Sequence, residues 1–125
     1  MNVCIYSQLV HRKHVVFVNT DLVPANEARE FGGSYLHNEK EGKLIYQVTE
    51  SLLRCGVKEE QLAIVSVYRS QLRTISRYFE GETDIEIATI DKYQGRDKDC
   101  VIISLVRSNT QGNVRKHHGC VNRLY

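Results

Sequence analysis

The sequence predicts an α/β domain with a mainly parallel sheet and helices on its faces. Three observations support this class. Two apolar runs rich in β-branched residues, Leu62–Val67 and Val101–Val106, are typical of strands buried in a parallel sheet. Two stretches, Asn38–Gly56 and Arg69–Phe79, carry apolar residues at helical spacing. A strand, a polar bend and a buried strand follow one another from Ile85 to Val106, which is an ordinary arrangement in such a domain.

Length and charge limit what the chain can be. At 125 residues it is one domain at most. Its net charge is +2, so contacts with nucleic acid must be local, because the overall field is too weak to supply them. Its four cysteines lie far apart, as expected for reduced thiols of an intracellular protein (Cys4, Cys55, Cys100 and Cys120). We identify no signal peptide and no apolar run long enough to span a membrane.

The first half of the chain predicts a strand, a loop and a helix. The run His14–Asp21 predicts a buried strand, and the polar, glycine-containing stretch Ala25–Ser34 predicts an exposed loop. In the helix that follows, Asn38 is placed to cap the start, and Glu41 is placed to return the bond as in a capping box. Gly56 is a suitable stop just past the end.

The second half predicts two strand ends that carry polar residues. Arg69 and Gln71 follow the strand Leu62–Val67, at the start of the next helix. Ligands of open α/β sheets gather at the carboxyl ends of strands, and a helix start favours anions. The short strand Ile85–Ile90 leads into the polar bend Asp91–Asp99.

The bend combines groups that can reach phosphate, ribose and nucleic-acid backbone. Gln94 is an amide, Arg96 a guanidinium and Asp97 a carboxylate, and Gly95 allows backbone to approach a ligand closely.

These residues resemble motif V of the superfamily 1 helicases that move 5′ to 3′, and most of all the DNA replication ATP-dependent helicase/nuclease family. The family pattern is roughly (S/T)-V-D-x-(Y/F)-Q-G-(R)-(D/E)-K, followed by a hydrophobic strand ending V-R-(S/A)-N. Twelve positions match: Thr89, Asp91, Tyr93, Gln94, Gly95, Arg96, Asp97, Lys98, Val106, Arg107, Ser108 and Asn109.

Three further segments carry the resemblance. Asn19, Thr20, Asp21, Val23 and Pro24 match a strand end of the family, Asn38 and Glu41 match its Asn-x-x-Glu helix opening, and Tyr68, Arg69, Gln71 and Leu72 match its motif IV. Within these segments Val67 stands where the family has proline, and Gly42 where it has alanine.

The resemblance implies a RecA-like, P-loop NTPase-type second helicase lobe that is incomplete here. It implies that Thr89 meets a phosphate of the single strand and that Asp97 bonds the ribose hydroxyl of ATP. The expected ATP-binding residues are Gln94, Gly95, Asp97, Arg69, Gln71 and Glu41, and the expected nucleic-acid-binding residues are Thr89, Arg96 and Arg107.

Purely structural interpretations of several of these residues stay open. Glu41 also fits a purely capping role, and Arg69 also fits a solvated residue of the first helical turn. Arg96 also fits a pair with Asp91, Asp97 or Asp99. A salt-linked, exposed bend also accounts for Arg96, Lys98 and Asp99, and we favour it for Asp99. For Tyr93 we favour a place in the core.

The resemblance covers residues 14–113, which we interpret as a partial lobe between an N-terminal extension, 1–13, and a divergent tail, 114–125. The sequence contains no G-x-x-x-x-G-K-(S/T) phosphate loop, no acidic first-lobe box and no arginine-finger motif. We therefore expect a truncated product that does not hydrolyse ATP by itself. ATP and Mg²⁺ belong to the parent enzyme, as does an iron–sulfur cluster. We predict no metal site at the tail cluster of His117, His118 and Cys120.

The implied parent is an ATP-dependent 5′-to-3′ DNA helicase/nuclease that acts in replication, flap processing and repair. Its expected partners are single-stranded or flap DNA, the first motor lobe and the nuclease region, with no membrane. The expected location is the nucleus, with the mitochondrion as a second site. Two alternatives remain: a lobe of an RNA helicase of the nonsense-mediated-decay type, against which Lys92 and Tyr93 argue, and an inert truncated product.

Overall fold

A small parallel sheet with two helices on one face forms the centre of the molecule. The computed structural model describes residues 15–20, 23, 25–30, 35–79, 81 and 83–108. No helix in these ranges has the length and apolar character needed to cross a membrane. The elements in chain order are β1 (Ala28–Glu30), β2 (Tyr35–His37), α1 (Glu39–Arg54), a 3₁₀ turn (Glu59–Gln61), β3 (Leu62–Ser66), α2 (Arg69–Ser76), β4 (Glu86–Thr89), α3 (Ile90–Tyr93) and β5 (Cys100–Ser104).

The predicted parallel sheet is confirmed, with strand order β4-β3-β5. All five residues of the central strand β3 are buried. In the register of the sheet, Ser66 at the end of β3 lies opposite Thr89 of β4 and Ser104 of β5. Because parallel strands end at one edge, the segments that follow these three residues all begin side by side.

The core lies between the sheet and the helices α1 and α2. Gly42 is buried in α1, and a Cβ atom there would lie 3.1 Å from Cγ2 of Thr74 on α2. The glycine therefore lets the two helices approach closely, which gives a packing reason for its departure from the family's alanine. The apolar cluster consists of Ile45, Leu52, Leu62, Ile64, Ile75 and Ile85.

The predicted helix from Asn38 to Gly56 is confirmed as α1. The side chain of Asn38 accepts a hydrogen bond from the backbone N–H of Glu41, as an N-cap does. The helix ends at its C-cap, Cys55, and Gly56 follows with φ of 95°, a backbone region that favours glycine.

The predicted buried strand His14–Asp21 is wrong for residues 15–20, which form no strand. Val15 and Phe17 are 85% and 74% exposed. A run of β-branched residues becomes a strand only when a neighbouring strand takes its backbone hydrogen bonds, and none of the described strands pairs with this run. His14 and Asp21 lie outside the described residues.

The predicted exposed loop Ala25–Ser34 is also wrong in part. Residues 28–30 form β1, which pairs antiparallel with β2. Ala25 is buried rather than exposed. The short, polar strand β1 has no apolar alternation in its sequence, so only its pairing with β2 reveals it.

The predicted buried strand Val101–Val106 is shorter and only half buried. It appears as β5, and its side chains alternate between the core and solvent. Val101 and Ile103 are 38% and 56% exposed, because no described element covers the second face of this edge strand. A β-branched run cannot by itself distinguish a central strand from an edge strand.

Ile64 and Ile103 offer a matched test of this sheet, since they lie on neighbouring strands with 0% and 56% exposure. Ile64→Ala should lower the free energy of unfolding by about 2–5 kcal/mol, through lost burial and a cavity. Ile103→Ala should cost less than about 1 kcal/mol, because its side chain already meets solvent. Urea unfolding followed by circular dichroism measures both. Equal losses at the two positions would contradict the burial described here.

Candidate functional site

The three strand ends form a polar edge. The hydroxyl of Ser66 donates to the carbonyl of Ser104 (3.0 Å) and accepts from the backbone N–H of Tyr68 (3.3 Å). Thr89 is 8% exposed, and its side chain makes no capping bond to the helical turn α3 that it precedes. The end of β3 is thus tied to both β5 and the segment that leads into α2.

Asn38 occupies the centre of this edge and is 1% exposed. Its amide nitrogen donates to the carbonyls of Ala25 (2.7 Å) and Val106 (3.3 Å). Its backbone N–H donates to Oε1 of Gln71 (2.7 Å). One residue therefore joins the first turn of α1 to α2, to the end of β5 and to the chain before β1.

Glu41 holds the end of β5. Its carboxylate accepts from the hydroxyl of Ser104 (2.7 Å) and from the backbone N–H of Val106 (3.1 and 3.0 Å to its two oxygens). The expected return bond of a capping box is not made, because Gln71 takes the Asn38 N–H and Glu41 turns toward β5. Val106 is fully buried with φ of 70°, a backbone strain of about 1–3 kcal/mol for a β-branched residue.

Gln71 is fully buried in α2. Its amide oxygen accepts from the Asn38 N–H, and its amide nitrogen donates to the Asn38 carbonyl (3.2 Å). Both ends of the side chain are thus engaged within the protein. The ATP contact that the resemblance implies for Gln71 stays a prediction.

Arg69 lies where the sequence predicts, at the first position of α2 and close to the end of β3. Its side chain is exposed. Among the described contacts no carboxylate pairs with this guanidinium, so it faces solvent at the strand-end edge. A phosphate is the kind of group that such a cation, beside helix N–H groups, can bind.

The polar bend begins at the same edge with the helical turn α3. Gln94 and Asp97 are exposed, and Gly95 has φ of 81°, which explains the need for glycine. Burial raises the pKa of Tyr93, and the nearby carboxylates of Glu86 and Asp97 raise it further. Tyr93 is half-buried, which is compatible with the predicted packing role.

The second half of the bend turns back along the sheet. Arg96 pairs with Glu86 at the start of β4, a partner that we did not consider from the sequence. The register of the sheet explains this, because the bend must return to the amino edge before β5 begins.

Two further contacts reach that amino edge. Lys98 donates to the carbonyl of Glu60 (2.6 Å), and Asp99 accepts from the side chain of Gln61 (2.8 Å). The salt link within the bend that we favoured for Asp99 is not among the described contacts, since its carboxylate bonds to Gln61 outside the bend. The chain therefore crosses from Thr89 at the carboxyl edge of the sheet to Asp99 at its amino edge, and Asp97 is exposed between them.

Arg107 is mostly buried beside β5, with 14% of its side chain exposed. Its Nε lies 3.0 Å from Oε2 of Glu27, whose side chain is 7% exposed. Glu27 and Ser108 also exchange two hydrogen bonds, from the Glu27 N–H (2.9 Å) and from the Ser108 N–H (3.0 Å). The strand-contact roles expected for Arg96 and Arg107 stay predictions, since each cation already has a carboxylate partner.

Sequence reasoning missed most of this polar edge. Ser66, Ser104 and Glu27 carry no motif that separates them from ordinary serine and glutamate residues. Asn38 was expected only as a cap, and its additional bonds join residues that lie 13 to 68 positions away. The described residues contain no group of three or more His, Cys, Asp or Glu side chains placed to hold a metal ion.

Asn38 offers a test of this arrangement with a conservative control. Asn38→Asp keeps the oxygen that caps α1 but buries a carboxylate oxygen against the carbonyls of Ala25 and Val106, so it should lose about 3–5 kcal/mol of stability. Asn38→Ala removes the cap and the donor without burying a charge and should lose about 1–3 kcal/mol. Thermal unfolding at fixed pH measures both changes. Full stability of Asn38→Asp would show that the two carbonyl bonds contribute nothing.

Comparison with known proteins agrees with the geometry. The family model for the AAA domain matches residues 3–122 and supports a P-loop NTPase-type fold. The DNA replication ATP-dependent helicase/nuclease DNA2 of Xenopus laevis is 42% identical over 102 residues, 80% of this chain and 10% of the relative. The human enzyme is 43% identical over 101 residues, 80% and 9% of the two chains, and the Arabidopsis thaliana enzyme 45% over 94 residues, 75% and 7%.

The chain thus spans a tenth or less of the length of these curated relatives. The residues that the AAA-domain model matches include both the strand-end segments and the polar bend. The chain therefore belongs to the AAA domain family, and the relatives that it matches at 42–45% identity are DNA replication ATP-dependent helicase/nucleases.

Proposed function

We propose that this chain supplies part of the second motor lobe of an ATP-dependent 5′-to-3′ DNA helicase/nuclease that acts in DNA replication, flap processing and repair. The observation that carries the proposal is the pairing of two polar segments at one edge of the sheet. Arg69 follows β3 and Thr89 ends β4, and these strands are direct neighbours. A nucleotide phosphate and a strand phosphate would then be held side by side.

The exposed bend supports the nucleotide part of the proposal. Asp97 offers a free carboxylate, which is well suited to accept hydrogen bonds from ribose hydroxyls. Gln94 and Gly95 present an amide and accessible backbone next to it. The chain contains no phosphate loop, so the ligands of Mg²⁺ and the phosphate cradle would come from the first lobe of the parent.

Arg96 in the bend and Arg107 after β5 can contact nucleic acid only if they leave their carboxylate partners. Arg96 is 57% exposed and would have to leave Glu86 to meet a phosphate, which is a small loss for a solvated pair. Arg107 would have to leave Glu27 in a mostly buried setting, which costs more. Of the two, Arg96 is therefore the better candidate for a direct strand contact.

The remaining properties of the whole enzyme rest on the relatives. We include in this proposal a first motor lobe and a nuclease region in the rest of the parent enzyme, and flap DNA as its substrate. We also include a location in the nucleus and in the mitochondrion. An iron–sulfur cluster in this part of the chain does not fit the residues described, because Cys55 lies exposed after α1 and Cys100 begins β5, with no paired cysteine motif at either. A cluster would belong to another region of the parent.

Binding of a labelled 20-nucleotide single-stranded DNA to the purified chain tests the proposal. Thr89→Val removes only the hydroxyl and should weaken binding about tenfold, the loss expected for one hydrogen bond to a charged phosphate. Thr89→Ser keeps the hydroxyl and serves as the control. Fluorescence anisotropy at low salt measures the affinities, and an RNA strand of the same sequence distinguishes the RNA-helicase alternative. The chain by itself should show no ATP turnover.

Two results would contradict the proposal. The first is a wild-type chain, folded by circular dichroism, that binds neither DNA nor RNA at low salt; this would favour an inert product. The second is ATP hydrolysis by the chain alone that is lost in Asp97→Ala, because the parent's phosphate loop would then be dispensable.

A further inference from the structure

A continuous hydrogen-bonded network joins the two polar segments at the strand ends. We call it the strand-end network, and its members are Asn38, Glu41, Ser66, Gln71, Ser104 and Val106. Five of them are fully or almost fully buried, and Glu41 is half-buried. The described segments that follow β3 and β5 are thus held by a single set of contacts.

One route through the network runs between the strands. The backbone N–H of Tyr68, next to Arg69, donates to the hydroxyl of Ser66. Ser66 donates to the Ser104 carbonyl, and Ser104 donates through its hydroxyl to Glu41. Glu41 in turn accepts the N–H of Val106, the residue before Arg107.

A second route runs through the helices. Gln71, two residues after Arg69, holds the backbone of Asn38 at both its N–H and its carbonyl. The amide of Asn38 donates to the carbonyl of Val106, and its oxygen caps the N–H of Glu41. Both routes therefore reach Val106 from the neighbourhood of Arg69.

The side chains of Glu41 and Gln71 are fully engaged within the protein. Both oxygens of Glu41 accept hydrogen bonds, and both polar ends of Gln71 are bonded to Asn38. Gln71 is also fully buried, so a ligand could reach it only after the network opens. These contacts suit residues that place other groups better than residues that bind a nucleotide directly.

Val106 holds a strained backbone conformation within the network. Its φ of 70° is unfavourable for a β-branched side chain, yet it is fully buried and bonded at both its N–H and its carbonyl. Such a conformation persists only while its surroundings hold it. Loss of the Glu41 or Asn38 contact would let this residue relax and would move the adjacent Arg107.

We propose that Glu41 and Gln71 are positioning residues that couple the nucleotide-side segment at Tyr68–Arg69 to the strand-side segment at Val106–Arg107. This inference rests on the proposed function for the identity of the two ligands, a nucleotide phosphate and a nucleic-acid phosphate. An element with two states that are biased by two ligands is what transmission between two sites requires.

Amide hydrogen exchange of Val106, followed by NMR, tests the coupling without any ligand. Gln71→Leu removes the bonds to Asn38 and replaces the amide side chain with an apolar one of similar size. The exchange of the Val106 N–H should then become about tenfold faster relative to that of Ile64 in central β3, although Gln71 does not touch Val106. Glu41→Gln should act in the same direction by weakening the direct acceptor.

Ile64→Val is the control, because it lowers stability without touching the network. It should speed exchange at both amides without changing their ratio. The proposal is overturned if Gln71→Leu leaves the Val106-to-Ile64 ratio at its wild-type value, or if Ile64→Val changes the ratio as much as Gln71→Leu does.

Binding of the 20-nucleotide DNA separates this proposal from the proposed function. Ser104→Ala removes the hydroxyl that donates a hydrogen bond to Glu41 and should weaken DNA binding several-fold. Ser104→Thr keeps a hydroxyl and should bind DNA as the wild type does. The exchange ratio tests the coupling of the segments without any ligand, and DNA binding by the wild-type chain tests the proposed function. Unchanged binding in Ser104→Ala, with a wild type that does bind, would overturn the positioning role.

Discussion

The arrangement of this molecule depends on the burial of one amide, that of Asn38, at the carboxyl edge of the sheet. A buried amide is tolerated only when its donors and acceptor are bonded, because each unmade bond costs about 1–3 kcal/mol. Here the partners come from the chain before β1, from the end of β5 and from the first turn of α1. Satisfying this residue therefore fixes several segments at once.

The polar bend begins at the same edge of the sheet. It leaves the sheet at Thr89, on the strand next to the one that leads to Arg69, and returns to the amino edge through the contacts of Arg96 and Asp99. Its exposed middle, at Gln94 and Asp97, stays available to ligands. The sheet thus anchors both ends of a loop whose central residues match the helicase motif.

Local features of the sequence predicted most of the structure within single helices and strands. The N-cap at Asn38 and the stop at Gly56 follow from residue types a few positions apart, and both are found. Contacts between distant segments could not be predicted, because the sheet sets them. Gln71 and Asn38 are 33 positions apart, and their bonds exist only because α2 packs beside α1. The run that contains Phe17 was predicted to be a strand but is not one, since no described strand pairs with it.

A double-mutant cycle between Asn38 and Gln71 tests most directly whether the polar edge acts as one unit. The free energies of unfolding of Asn38→Ala, Gln71→Leu and the double variant are compared with that of the wild type. We predict a coupling energy of at least about 1 kcal/mol, because Gln71 fixes the backbone of Asn38, and without it the side-chain bonds that Asn38→Ala removes would already be weakened. Losses that add to within about 0.3–0.5 kcal/mol would contradict it and would leave two independent buried side chains.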